Sequence, residues 1–165
     1  LRIIGIDPAL RYTGLAILND GKASAVTLTN PKGDWRVALE VLEPYLWSHF
    51  GPDCDMVVIE DLQVHARALR QLKPLIYVQG GIFHSLMLRG HPYMYVTPGR
   101  LRSFAGMKRK DSGSKLDKWL GVTGKTSHEV DALVLALMGA CKLRLYPVSK
   151  HQQSILDRIR IHGQE

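Results

Sequence analysis

The chain has 165 residues, of which 45% are apolar, and its formal net charge is +7. That length fits one domain, and the apolar content excludes a fully disordered chain. No apolar run reaches membrane-spanning length and no secretory leader pattern is present, so the expectation is a cytoplasmic protein with no membrane partner.

The elements follow in chain order. Residues 2–7 read as a strand buried on both faces, ending in Asp7, and residues 13–19 as a second strand. Asp20-Gly21 is a hairpin signal, so 22–29 should pair antiparallel with the second strand. Trp35, Leu39, Leu42, Leu46 and Phe50 fall at helical spacing, and Gly51-Pro52 ends that helix. Met56-Val57-Val58-Ile59 is a short apolar run ending in Glu60, expected as a buried parallel strand. Residues 66–89 have a helical pattern with a soft spot at Pro74 and a small-residue patch at Gly80-Gly81. Tyr93 to Val96 is a fifth strand, and Thr97-Pro98 opens a short helix. A basic loop is expected at 106–114 and a short helix at 114–120. Thr126 and Glu129 have capping-box spacing at the start of a last strong helix, which runs to about Leu143. The domain is thus assigned to 1–143. Residues 144–165 are a basic tail, either an ordered DNA-binding helix or a frayed terminus.

The architecture that follows is α/β. Three antiparallel strands are followed by two strands that each return through a crossover helix, so those two run parallel to the first. The first strand takes the middle of the five-stranded mixed sheet, with the fourth beside it and helices flanking.

Charge is unevenly spread. Residues 1–97 hold nine basic and nine acidic side chains, whereas 98–165 hold 13 and 6. The densest stretch contains Arg100, Arg102, Lys108, Arg109, Lys110, Lys115, Lys118 and Lys125. Such a stretch is either a solvated surface or a track that neutralises phosphates. Cys54 and Cys141 lack metal-site spacing and are expected as free thiols.

Asp7 needs a partner, because an ionised carboxylate beside a core is costly alone. If the first and fourth strands are parallel neighbours, Asp7 and Glu60 end about 5 Å apart. Side chains alternate along a strand, so Glu60 rather than Asp61 shares the face of Asp7. Two such carboxylates repel unless a cation lies between them, and an all-oxygen site suits Mg²⁺ or Mn²⁺. His128 and Asp131 share one face of the last helix and can be aimed at the same edge. Asp131 is a third carboxylate, and His128 either ligates a metal or handles a proton.

These residues resemble the RuvC family of Holliday junction resolvases, in the ribonuclease H-like superfamily. The likeness is carried by Ile4-Gly5-Ile6-Asp7-Pro8 with Thr13-Gly14, by Val57-Val58-Ile59-Glu60, and by Leu75 to Phe83. It continues through Tyr95-Val96-Thr97-Pro98, the basic loop to Lys115, and His128-x-x-Asp131-Ala132-Leu133. The resemblance implies the ribonuclease H-like fold, with Asp7, Glu60, His128 and Asp131 as the catalytic metal-binding set holding two Mg²⁺ or Mn²⁺. His128 stands where some members have Asp and others His. Lys115 matches a lysine near the scissile phosphate. Gln63 departs from the family, which usually has an aromatic wedge there, and is expected to meet the DNA. The implied activity is resolution of four-way junctions by paired nicks that leave 5′-phosphate and 3′-hydroxyl ends. The implied partners are branched DNA and a second copy of the chain, with no small-molecule cofactor. The helix at 66–89 offers either a dimer surface or core packing. Competing readings are a same-fold nuclease acting on flaps, forks or RNA–DNA hybrids, a non-catalytic DNA-binding module, and an actin-like phosphate binder. The last would need a second domain and a second Gly-rich loop.

Overall fold

The computed structural model of the chain describes residues 1–62, 69–106 and 125–163, with the backbone alone at 69–71. The segments expected as a basic loop and a short helix between 107 and 120 lie outside the described residues, as do 66–68 of the second helix.

β1 (Arg2–Asp7), β2 (Tyr12–Asn19) and β3 (Lys22–Thr29) form an antiparallel meander. Its hairpin turns at Asp20 (φ 46°) and Gly21 (φ 82°), both in the left-handed region that a type I′ turn demands. α1 (Trp35–His49) starts at Asp34, whose side chain accepts from the Arg36 N–H at 2.8 Å. β4 (Met56–Glu60) then runs parallel to β1. α2 (Leu69–Arg89) leads to β5 (Tyr93–Val96), parallel to β4. Thr97 caps α3 (Pro98–Phe104). The expected capping box starts α4 (Ser127–Lys142): the Thr126 N–H donates to Glu129 Oε2 at 3.1 Å, and the Glu129 N–H donates to Thr126 Oγ1 at 3.2 Å.

The sheet order is β3-β2-β1-β4-β5, the five-stranded mixed sheet expected from the connections. Strand alternation divides the core. Ile4, Ile6, Val57 and Ile59 face α1 and α2. Ile3, Ala16, Met56 and Val58 face α4. Cys54 and Cys141 are free and buried. Among the described residues, no helix is long and apolar enough to cross a membrane.

Up to Gly163 the stretch after α4 is part of the fold. Ser149 caps α5 (Lys150–Asp157). Leu156 and Ile159 are buried in the α4-side core. Lys142 Nζ donates to the Leu156 carbonyl at 2.7 Å. The backbone of His162 then pairs with Tyr93 on the outer edge of β5, at 2.8 and 3.0 Å.

Two strand glycines set the position of α4. A Cβ at Gly5 would stand 2.0 Å from the Ala132 carbonyl oxygen and 2.7 Å from the Ala136 nitrogen. A Cβ at Gly14 would stand 2.0 Å from the His128 carbonyl oxygen. The helix answers with its own Gly139, where a Cβ would meet Val58 at 2.7 Å and Ile3 at 2.9 Å. Glycine inside a strand marks such a close backbone approach. α4 therefore lies flat on β1 and β2 and is buried on most of its circumference.

Gly5→Ala or Gly14→Ala should each destabilise by about 3 kcal/mol or more, because backbone rather than a movable side chain must give way. Gly80, in α2, has nothing within 4 Å of a built Cβ. Gly80→Ala should therefore stabilise, by up to about 1 kcal/mol. Urea unfolding followed by circular dichroism measures all three. A Gly5→Ala variant as stable as the parent would contradict the close approach.

Candidate active site

The alternation that buries Ile3 on the α4 side also turns Gly5 and Asp7 to that side. In β4 the same holds for Met56, Val58 and Glu60. Ile6 lies opposite Ile59 in the parallel pair, so Asp7 and Glu60 end adjacent strands on one face. Asp61 falls on the other parity, and its N–H extends the ladder to Val96 at 2.8 Å. Over this edge comes the first turn of α4, seated by Gly14. His128 Nδ1 reaches Asp7 Oδ2 at 2.7 Å. The geometry thus brings together Asp7, Glu60, His128 and Asp131.

Several supports around them were not foreseen from the sequence. Gln79, from α2, donates its amide to the Glu60 carbonyl at 2.8 Å and so fixes the end of β4 from the opposite layer. Tyr12, one alternation step before Gly14, stacks on His128 with ring centroids 6.2 Å apart and 28° between planes. Thr13 Oγ1 donates to the Ala9 carbonyl at 2.9 Å and accepts from the Ala9 N–H at 3.2 Å, closing the turn after Asp7. The start of α4 is tied to β3 by Thr27 and Thr126 hydroxyls 2.6 Å apart, and by Lys125 Nζ on the Ala25 carbonyl at 3.0 Å. The strand glycines were a readable signal for the helix that covers them. Gln79 and Tyr12 had none.

Of the expected basic residues, Arg102 lies exposed on α3, near enough to draw down the proton affinity of both Glu60 and Asp131. Arg100 is half-buried on the same helix, and its N–H goes to the Thr97 cap at 3.4 Å. Gln63, Lys108, Arg109, Lys110, Lys115 and Lys118 lie outside the described residues.

No protein-family model and no curated protein sequence matches the chain. Solved structures do. T. thermophilus RuvC in complex with a Holliday junction substrate superposes with a TM-score of 0.72 at 17% identity, covering 90% of this chain and 98% of that one. A further Thermus thermophilus RuvC structure gives 0.65 at 20% identity, covering 88% and 96%. The chain has the fold of RuvC. The expected ribonuclease H-like α/β architecture is therefore shown, with the mixed sheet and flanking helices of RuvC across nearly the whole length of both chains.

The electrostatics of the sheet edge are unusual. Burial pushes Asp7 up to about 6, with the charge of Asp131 adding to the shift against a hydrogen bond from Glu60. Glu60 rises further, to about 8, through burial and then through its hydrogen bond to Asp7 and the Asp7 charge. Burial and Glu60 push Asp131 to about 6. Three carboxyls crowded into a poorly solvated edge cannot all ionise without positive charge nearby.

That donor chemistry fits a hard divalent cation, which takes carboxylate oxygens and tolerates water in its other positions. The side chains are not gathered around an ion as they stand. Among the described residues, no three His, Cys, Asp or Glu are arranged to hold one, and Asp7 Oδ2 is engaged by His128. Loading would require that contact to give way or be shared.

The sign of the pH dependence follows. All three folded-state values lie above the unfolded carboxylate value of about 4. The folded state thus holds more protons than the unfolded chain across this window, and stability falls as pH rises through it. Without divalent metal, the thermal midpoint should be higher at pH 5.5 than at pH 8, and Mg²⁺ or Mn²⁺ should raise it more at pH 8. Glu60→Gln should flatten both trends. Scanning calorimetry with and without chelator reads this, and a metal-free midpoint that rises from pH 5.5 to 8 would refute it.

Proposed function

We propose that the chain is a divalent-metal-dependent endonuclease that resolves four-way DNA junctions. The observation that carries this reading is the meeting of Asp7, Glu60, Asp131 and His128 at one buried sheet edge, with Arg102 beside them, in a fold shared with RuvC.

In this reading Asp7, Glu60 and Asp131 hold the metal, two ions per site, and His128 joins them as ligand or proton carrier. Bound there, Mg²⁺ or Mn²⁺ supplies activation of water and neutralisation of charge at the departing oxygen. Asp7 Oδ2 holds His128 Nδ1 at 2.7 Å and so fixes where the ring stands at the edge. Tyr12 holds the plane of that ring. Gln79 holds the end of β4 so that Glu60 stays level with Asp7. Arg102 offers a planar pair of N–H groups to a phosphate oxygen, the geometry a guanidinium suits best. Lys115 is assigned to the same phosphate, and the basic residues from Arg100 to Lys118, with Gln63, to the surrounding DNA. The nicks leave 5′-phosphate and 3′-hydroxyl ends.

Two symmetric cuts need two sites, hence a twofold dimer. α2 offers its surface. Ile76, Gly80 and Met87 recur at helical spacing on the side away from the core, Phe83 borders them with its ring edge-on to Tyr93, and Tyr77 and Leu88 extend the patch. Met87 is 60% exposed and Leu88 68%, more than isolated surface apolar residues require. The two glycines of α2 face different ways. A Cβ at Gly81 would meet Leu39 at 2.5 Å, so Gly81 seats α1 against α2, whereas Gly80 opens outward.

Asp7→Asn should lower cleavage of a synthetic four-way junction in Mg²⁺ by about 10³-fold or more while leaving junction binding intact. Wild-type cleavage by this variant would sink the site assignment. A panel of four-way, three-way, flap, fork and RNA–DNA hybrid substrates tests selectivity, and preference for the hybrid would overturn the resolvase reading. Phe83→Glu with Met87→Glu should convert the dimer to a monomer in sedimentation velocity and turn paired nicks into single ones. A doubly charged α2 that still dimerises would exclude this surface.

A further inference from the structure

We propose that α3 and α5 together form a duplex-binding face that carries one arm of the nucleic acid away from the carboxylate edge. The inference deepens the nuclease reading and rests on it.

Charge is the first observation. Between Lys142 and Gly163 the sequence holds five basic residues and a single acid, Asp157. That acid accepts the Gln153 amide at 2.7 Å, to one side of the helix.

The arrangement is the second. α5 buries Leu156 inward, and Ile159 follows it into the core. Lys150, His151, Ser154 and Arg158 occupy the opposite, exposed side, and Arg160 is exposed just beyond. Among the described residues, Lys150, Arg158 and Arg160 form no ion pair. Their charge is free to meet an outside partner.

Continuity with the site is the third. Arg102 stands by Glu60 and Asp131, and the next residue, Ser103, meets His151 Nε2 at 3.1 Å. Gln152 donates to the Phe104 carbonyl at 3.1 Å. His151 thus holds the first turn of α5, where Lys150 also stands, one residue along α3 from Arg102, and the helix is clamped to α3. Eight residues of helix extend about 12 Å, the axial rise of roughly three to four base pairs of duplex. A merely soluble surface needs charge, but it needs neither one sign nor a rigid path leading out of an anionic-substrate site. Ordering that path beforehand spares the partner the cost of ordering it on binding.

The test is binding without cleavage, in chelator, of a junction with arms of roughly two helical turns and one with arms of roughly half a turn. The variant is Lys150→Gln, Arg158→Gln and Arg160→Gln combined, and Lys150→Arg, Arg158→Lys and Arg160→Lys is its charge-keeping partner. Lys22→Gln, at the hairpin on the opposite edge of the sheet, is the control. The neutralised variant should lose affinity for the long-armed junction. Its plot of log affinity against log salt should flatten by about 0.9 per lost phosphate contact, so by two to three in all. The short-armed junction should be bound as by the parent, and the charge-keeping variant and Lys22→Gln should bind both as the parent does. An unchanged salt slope, or an equal loss on both junctions, would overturn the proposal. Should the parent bind long arms in this way yet cut no branched DNA, the nuclease reading would fail and the surface stand. Should it cut, with the neutralised variant binding like the parent, the surface alone would fail.

Discussion

At Gly5 and Gly14 the sheet presents bare backbone, and α4 rests where two Cβ atoms would otherwise be. Everything at the sheet edge depends on that approach. It lowers the first turn of α4 until His128 meets Asp7 at 2.7 Å and Asp131 joins the two strand-end carboxyls. Neither glycine touches the chemistry. A side chain at either would lift the helix, and the four polar groups would separate while each element kept its own structure. Packing density leaves no slack for a compromise, since interiors close like crystals and transmit such a displacement.

The same approach creates an electrostatic cost. Covering Asp7, Glu60 and Asp131 with a helix removes water from three carboxyls that already crowd one another, and their proton affinities rise as a result. Such a site is in tension with the fold. It is relieved by protons at low pH, in part by Arg102, and fully only by added positive charge. The supports around it make sense in that light. Gln79 pins the carbonyl of Glu60, Thr13 closes the turn after Asp7, and the capping box with its ties to β3 holds α4 down. Each is neutral or distant, so each restrains the carboxyls without discharging them.

Much of this was legible along the chain because it is local. Strand alternation, the Asp20-Gly21 turn, the Thr126–Glu129 box and the crossover connections are short-range patterns, and they gave the strand order. Parity along β4 picked out Glu60 over Asp61. What escaped depends on contacts between residues far apart in sequence. Gln79 lies 19 residues from Glu60, and nothing in the pattern of α2 marks it as the one that reaches across. Tyr12 falls just before the strand read at 13–19, and its place on His128 needs both the sheet and α4. Along the chain, nothing in the stretch after α4 decides between an ordered helix and a frayed terminus, because its apolar residues are few. Leu156 and Ile159 suffice to dock it, since they meet a core already built by α3 and α4.

The layout of charge completes the argument. A buried carboxylate cluster repels a polyanion at close range, so the residues that make the site chemically competent also oppose approach of its proposed substrate. The opposition is short-ranged in salt, decaying over about 10 Å, and cations beyond that distance can still attract phosphate along the rest of the surface. The chain keeps its first 97 residues neutral and places its entire excess of +7 after them. From that basic part the fold draws α3 and α5, which lie beyond the β5 side of the edge, and α4, which brings Asp131 and His128 back over it. Acid is concentrated where a metal would neutralise it, and base is spread along the helices beside it. The sheet supplies the division, because its parallel half ends at β4 and β5 and lets α3 leave from the very edge where Glu60 stands.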